Sequence, residues 1–84
     1  MRMAGEALVQ INGIITELKE DHSIPRNVIT KLESVEKILE GDGEDIYIKV
    51  DKAIQVIEEI IEDTNIQPFI RTRLWNICSL LESM

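Results

Sequence analysis

Sixteen acidic residues and a single histidine set the terms of any chemistry this chain could perform. The histidine, His22, stands beside Asp21, the pairing in which a carboxylate orients a general base. It also stands in a run of turn residues, Asp21-His22-Ser23, where an exposed side chain without a chemical role is the simpler account. Ser23, Ser34, Ser79 and Ser83 have no base near them at helical spacing, so no activated hydroxyl is expected. Cys78 is the only cysteine, which excludes an intramolecular disulfide and leaves no Cys/His set for zinc. On the apolar side of a helical stripe, it reads as a small hydrophobe rather than a nucleophile.

The carboxylates cluster twice. Glu40, Asp42, Glu44 and Asp45 crowd one segment as a calcium loop would, but they lack the alternating acidic order and the closing glutamate of such a loop. Glu58, Glu59, Glu62 and Asp63 share one helix end with no histidine among them, unlike the Glu-x-x-His pairs of di-iron bundles. Solvated charge is the expected state of both clusters. The alternative is a carboxylate-based site for a metal or small ligand, around Glu40–Asp45, with Glu40, Asp42, Glu44 and Asp45 as its candidates, or around Glu58–Asp63. No cofactor and no enzymatic activity are expected.

Composition narrows the partners. A chain of 84 residues, 44% hydrophobic and 30% charged, has the make-up of one globular domain over residues 1–84. Chains this short bury only about 60–65% of the surface their unfolded forms expose, so the stability margin should be thin. No apolar run approaches the roughly 20 residues that cross a bilayer, and no apolar segment follows Arg2 as a secretory signal would need. A lone cysteine fits a reducing compartment, so the expected location is cytoplasmic. The formal charge of -7 opposes phosphate backbones, where affinity comes from Lys and Arg displacing counterions. Neither nucleic acid nor membrane is expected as a partner.

The elements that position these residues follow from a repeat. Shifted by 42 positions, Ile15 falls on Ile57, Glu17 on Glu59, Glu20 on Glu62, Asp21 on Asp63 and Ile24 on Ile66. Thr30 falls on Thr72, Leu32 on Leu74, Leu39 on Leu81 and Glu40 on Glu82, with Lys31 on Arg73 and Val35 on Ile77 keeping their character. A period near 40 signals a helical supersecondary unit. The units run roughly over residues 4–41 and 46–83, and each reads as a hairpin of two helices. Ala4, Leu8, Ile11, Ile15 and Leu18 recur at helical spacing, as do Ile46, Val50, Ile54 (or Ala53), Ile57 and Ile61. Val28, Leu32, Val35 and Leu39 form the second stripe, matched by Ile70, Leu74, Ile77 and Leu81.

Asp21, His22 and Ser23 offer turn and N-cap chemistry before the second helix, and Pro25 suits its first turn. Pro68 stands one position late relative to Pro25, which predicts a slightly different start for the fourth helix. Gly41 and Gly43 suit a helix end and a tight turn, and Asp45 (or Asp42) can cap the third helix. Ile46 to Val50 alternates like a strand, but a strand there would have no partner, and a helix is expected. Four helices joined by short turns predict an all-α, up-and-down four-helix bundle of two pseudo-twofold-related hairpins. Two stacked HEAT-like repeats are the competing architecture, but such arrays need three or more units to bury their faces.

The copies disagree where the first has Asn12, Lys19, Glu33 and Glu36 and the second has Ile54, Ile61, Trp75 and Cys78. The second unit is therefore more apolar. Two readings compete: helices three and four sit deeper with Trp75 plugging the core, or these residues form an exposed patch for a partner. The second reading makes the chain a non-enzymatic protein–protein interaction module, self-associating as a homodimer through its second hairpin.

The run Arg71-Thr72-x-x-Trp75-x-Ile77, with Ile66 and Pro68 before it, resembles the C-terminal half of a family of small archaeal proteins, uncharacterised protein family number 0147. The stretch from Glu20 through Glu33 resembles that family's first turn and second helix, so the similarity covers nearly the whole chain. Pro68 one residue late, and Phe69 and Ile70 before the arginine, are departures. The resemblance implies a compact four-helix fold and an archaeal, cytoplasmic source, and it brings no catalytic residue to carry over.

Overall fold

A computed structural model of the chain describes the backbone of residues 2–41 and 43–84 and the side chains of 5–41 and 43–84. Four helices occupy most of it: α1 (Arg2–Lys19), α2 (Arg26–Glu40), α3 (Ile46–Ile61) and α4 (Pro68–Glu82). They pack in a ring, α1 on α2, α2 on α3, α3 on α4 and α4 back on α1. The short connections make consecutive helices antiparallel, and the product is the expected all-α, up-and-down bundle. Its extents of 35 × 19 × 19 Å are one helix long and two helices wide.

The core follows the stripes. Val28, Leu32, Val35 and Leu39 of α2 are buried, as are Ile70, Leu74, Ile77 and Leu81 of α4. From α1 come Ile11, Ile15 and Leu18, and from α3 Ala53, Ile57 and Ile60. Every residue of this core has a counterpart 42 positions away, including Ile24 and Ile66, each 5% exposed. Two ion pairs obey the same shift. Lys31 Nζ of α2 lies 3.6 Å from Glu59 Oε1 of α3, and Arg73 Nη1 of α4 lies 3.0 Å from Glu17 Oε1 of α1. Both join one hairpin to the other, which is what a pseudo-twofold axis between them requires. Exposed pairs of this kind contribute well under about 1 kcal/mol each, so they set orientation more than stability.

Several local expectations need correction. The inner line of α3 is Ala53, Ile57 and Ile60, whereas Ile54 and Ile61 are half-buried and Ile46 is 36% exposed. Positions 54 and 61 stand one residue, hence about 100°, beyond the inner line, and Ile46 lies in the first turn at the open end of the bundle. Ala4 lies outside the residues whose side chains are described. The segment from Ile46 to Val50 is helical as expected, and Asp45 takes the expected cap, its carboxylate accepting a 2.9 Å hydrogen bond from the Tyr47 amide. Helices α2 and α4 begin at equivalent positions, Arg26 and Pro68, so the displaced proline does not shift the fourth helix. Pro25 occupies the N-cap of α2 and Pro68 the first position of α4. Either place tolerates a residue without an N–H, because the first helical amides have no intrahelical acceptor. Neither helix receives a side-chain cap, so the N-cap role expected of Asp21, His22 or Ser23 is not taken up.

Between the hairpins, Gly43 takes φ of 91°, a conformation that favours glycine, whereas Gly41 closes α2 in an extended conformation open to other residues.

Candidate functional site

The two acidic corners are occupied with their own backbone. Asp21 Oδ1 accepts from the Ser23 amide at 2.8 Å and from Ser23 Oγ at 2.7 Å, and Asp63 Oδ1 accepts from the Asn65 amide at 2.8 Å. Those bonds from Ser23 hold the Asp21 carboxyl below its ordinary pKa. His22 is exposed and donates no hydrogen bond to Asp21 among the described residues, so the arrangement that would make it a base is missing.

The segment joining the hairpins disperses its carboxylates in the same way. Glu44 Oε2 pairs with Lys52 Nζ at 2.7 Å, Asp45 caps α3, and Glu40 is exposed at the end of α2. Asp42 lies outside the described residues. Among those described, no three His, Cys, Asp or Glu side chains come together as metal ligands, at this segment or at Glu58–Asp63.

The patch residues do converge. Ile61 of α3 and Trp75 and Cys78 of α4 line one open groove of about 560 Å³ on the outer side of the second hairpin, rimmed by Glu58, Glu62 and Glu82. Ile54 shares their face of α3 but does not line the groove. The core-plug reading of Trp75 fails: the side chain is 53% exposed, while Leu74 immediately before it is fully buried. A bundle helix buries only the stripe that faces inward, and one residue further round the indole stands outside it. Phe69, Tyr47 and Ile48 are further large hydrophobics in contact with solvent on α3 and α4.

Cys78 is half-buried, not fully buried as a core hydrophobe would be. Burial, reinforced by the neighbouring charges of Glu58 and Glu82, pushes its thiol up to about 11. At neutral pH it is a protonated, poorly reactive thiol. Alkylation of the folded protein by iodoacetamide should therefore still be accelerating well above the ordinary thiol midpoint of about 8.5. Glu58→Gln should lower that midpoint, and a rate that saturates near the ordinary value would contradict this environment.

One residue with a structural part to play gave no functional signal in the sequence. Arg71 of α4 donates from Nε to the Ile61 carbonyl and from Nη2 to the Asp63 carbonyl, each at 3.1 Å. It thereby caps the C-terminal end of α3, where carbonyls lack helical partners and a cation suits the helix dipole. Its counterpart in the first unit is Ile29. An arginine replacing an isoleucine beside the last turn of a helix was the available sign.

Comparison with known proteins agrees with this fold. The model of the Uncharacterised protein family (UPF0147) matches residues 1–84. A UPF0147 protein of Methanothermobacter thermautotrophicus is 33% identical over 84 residues, covering 100% of this chain and 82% of the relative. The UPF0147 protein PF0239 of Pyrococcus furiosus is 32% identical over 79 residues, covering 89% and 85%. Among solved structures, the crystal structure of the protein MMP1188, of unknown function, superimposes with a TM-score of 0.88 at 29% identity, covering 95% of this chain and 91% of that one. With the family model matched from end to end, the chain belongs to the uncharacterised protein family UPF0147.

Proposed function

We propose that this protein is a non-enzymatic, cytoplasmic helical module for protein–protein interaction, and that the outer face of its α3–α4 hairpin is the contact surface. The observation that carries the reading is Trp75, 53% exposed beside half-buried Ile61 and Cys78. An indole is costly to leave in water and is the side chain most enriched at the energetic centres of interfaces. A non-enzymatic role is supported by a protonated Cys78 thiol and by an Asp21 carboxylate committed to Ser23. Two copies of one hairpin unit, roughly 4–41 and 46–83, account for the paired core and the paired ion pairs.

Self-association is the form of this activity that the purified chain tests alone. Sedimentation equilibrium at rising micromolar concentration should show growing mass, and Trp75→Ala should weaken the association. A strict monomer throughout would sink self-association and leave the face to a different protein. In dilute monomer, Trp75 should emit at long wavelength and be quenched readily by acrylamide. A blue-shifted emission that resists quenching would remove the surface itself, and the proposal with it.

A further inference from the structure

The first hairpin has a groove in the same place. It is lined by Lys19, Glu33, Glu36, Lys37 and Glu40, and each stands 42 positions before a residue lining the α3–α4 groove: Ile61, Trp75, Cys78, Ser79 and Glu82. In the first groove two lysines offset most of the charge of three glutamates. Lys19 Nζ lies 2.8 Å from Glu36 Oε1, with side chains 29% and 20% exposed, so a cation sits between the helices among the acids. In the second groove both lysines are gone, replaced by Ile61 and Ser79. Two of the three acids go with them, Glu33 and Glu36 giving way to Trp75 and Cys78, yet the second groove again holds three carboxylates. Glu82 matches Glu40, Glu62 matches Glu20, and Glu58 adds a carboxylate where the first unit has Thr16. Among the described residues no basic side chain pairs with Glu58, Glu62 or Glu82. The indole of Trp75 takes the place of Glu33.

We infer that the α3–α4 groove binds a basic segment of a partner protein, which lays one lysine or arginine side chain against Trp75 among Glu58, Glu62 and Glu82. The incoming cation does from outside what Lys19 does within the first hairpin. This rests on the reading of the hairpin face as the contact surface, and it adds the partner's chemistry. An indole face attracts a cation within about 6 Å through its quadrupole. Ile61 and Cys78 offer apolar ground for the methylene stem that carries the charge. Three carboxylates on the rim attract a basic partner and repel an acidic one. A second copy of this chain carries the same rim and a net charge of -7, so it occupies the face only weakly, at the micromolar concentrations where self-association is sought, and a basic partner displaces it.

The probe is a short amphipathic peptide with leucines on one face and lysine and arginine on the other, set against the same peptide with every basic residue replaced by glutamine. Trp75 is the only tryptophan, so its emission reports the groove directly, and calorimetry supplies the affinity. The basic peptide should bind saturably, more weakly as salt rises, and the glutamine peptide should not. Glu58→Gln with Glu62→Gln should weaken binding roughly tenfold, as the loss of two exposed charge pairs predicts. Ile61→Lys with Cys78→Glu transplants the pair of the first hairpin and should abolish binding. Circular dichroism checks each fold, and the glutamine variant decides alone if the transplant unfolds. Equal binding of both peptides, weakened for both by Trp75→Ala, overturns the cation and leaves the docking face standing. Silence from both peptides overturns the inference, and the docking face then stands or falls on the quenching of Trp75.

Discussion

Leu74→Ala should cost the fold roughly 2–5 kcal/mol, whereas Trp75→Ala, one residue further on, should cost less than about 1 kcal/mol. Leu74 is fully buried in the stripe of α4 that meets the core, so its removal forfeits transfer energy and leaves a cavity that the neighbouring isoleucines cannot close. Trp75 has 53% of its surface in water already, and alanine is the better helix former. For a domain this short the total stability is of order 4–13 kcal/mol, so the first change removes a large share of it. Each kcal/mol moves the melting point by about 4–8 °C in a domain of this size, which puts the leucine variant roughly 8–40 °C below the parent. Thermal unfolding of the dilute monomer measures both. Equal losses would mean that the indole is buried and that the groove of the second hairpin does not exist.

That contrast shows what the pattern of residues could and could not convey. The stripes of α2 and α4 were legible because each recurs at helical spacing and the two match position for position under the 42-residue shift, and every residue of those two stripes is buried. Helix α3 was ambiguous because isoleucine and valine surround much of it. Spacing alone then fits Ile54 and Ile61 as well as Ala53 and Ile60, and the choice falls to packing, which buries Ala53, Ile57 and Ile60. Trp75 tempted the reading inward through its residue type. The repeat itself pointed the other way. A position that carries Glu33 or Lys19 in one copy faces water, and in a pseudo-symmetric bundle the same position in the other copy faces water too. Read so, the comparison that singled out Ile61, Trp75 and Cys78 also places them on the surface. The ion pairs were legible as matched residues, Glu17 with Glu59 and Lys31 with Arg73. Which acid meets which base needed the ring of helices, since each pair crosses from one hairpin to the other.

The largest effect outside the core should come from Arg71. Arg71→Leu keeps apolar bulk at a half-buried position and removes only the guanidinium, so it isolates the two hydrogen bonds to the carbonyls of Ile61 and Asp63. Bonds from a charged donor contribute about 1.5–3 kcal/mol, and part of that is lost twice over, because the carbonyls at the end of α3 have no helical donor to replace them. The expected loss is therefore roughly 1.5–3 kcal/mol in thermal or urea unfolding. Arg71→Lys keeps the charge near the helix terminus but presents a single point donor instead of a planar fork, so it should recover only part of the loss. The change should be local as well as global: amides in the last turn of α3, such as Glu62, which donates to Glu58, should exchange faster with solvent. Because Ile61 is both the carbonyl held by Arg71 and a wall of the groove, freeing it should also loosen the seat opposite Trp75. A leucine variant within about 0.5 kcal/mol of the parent would show that water serves these carbonyls equally well, and that Arg71 does not brace the α3–α4 corner.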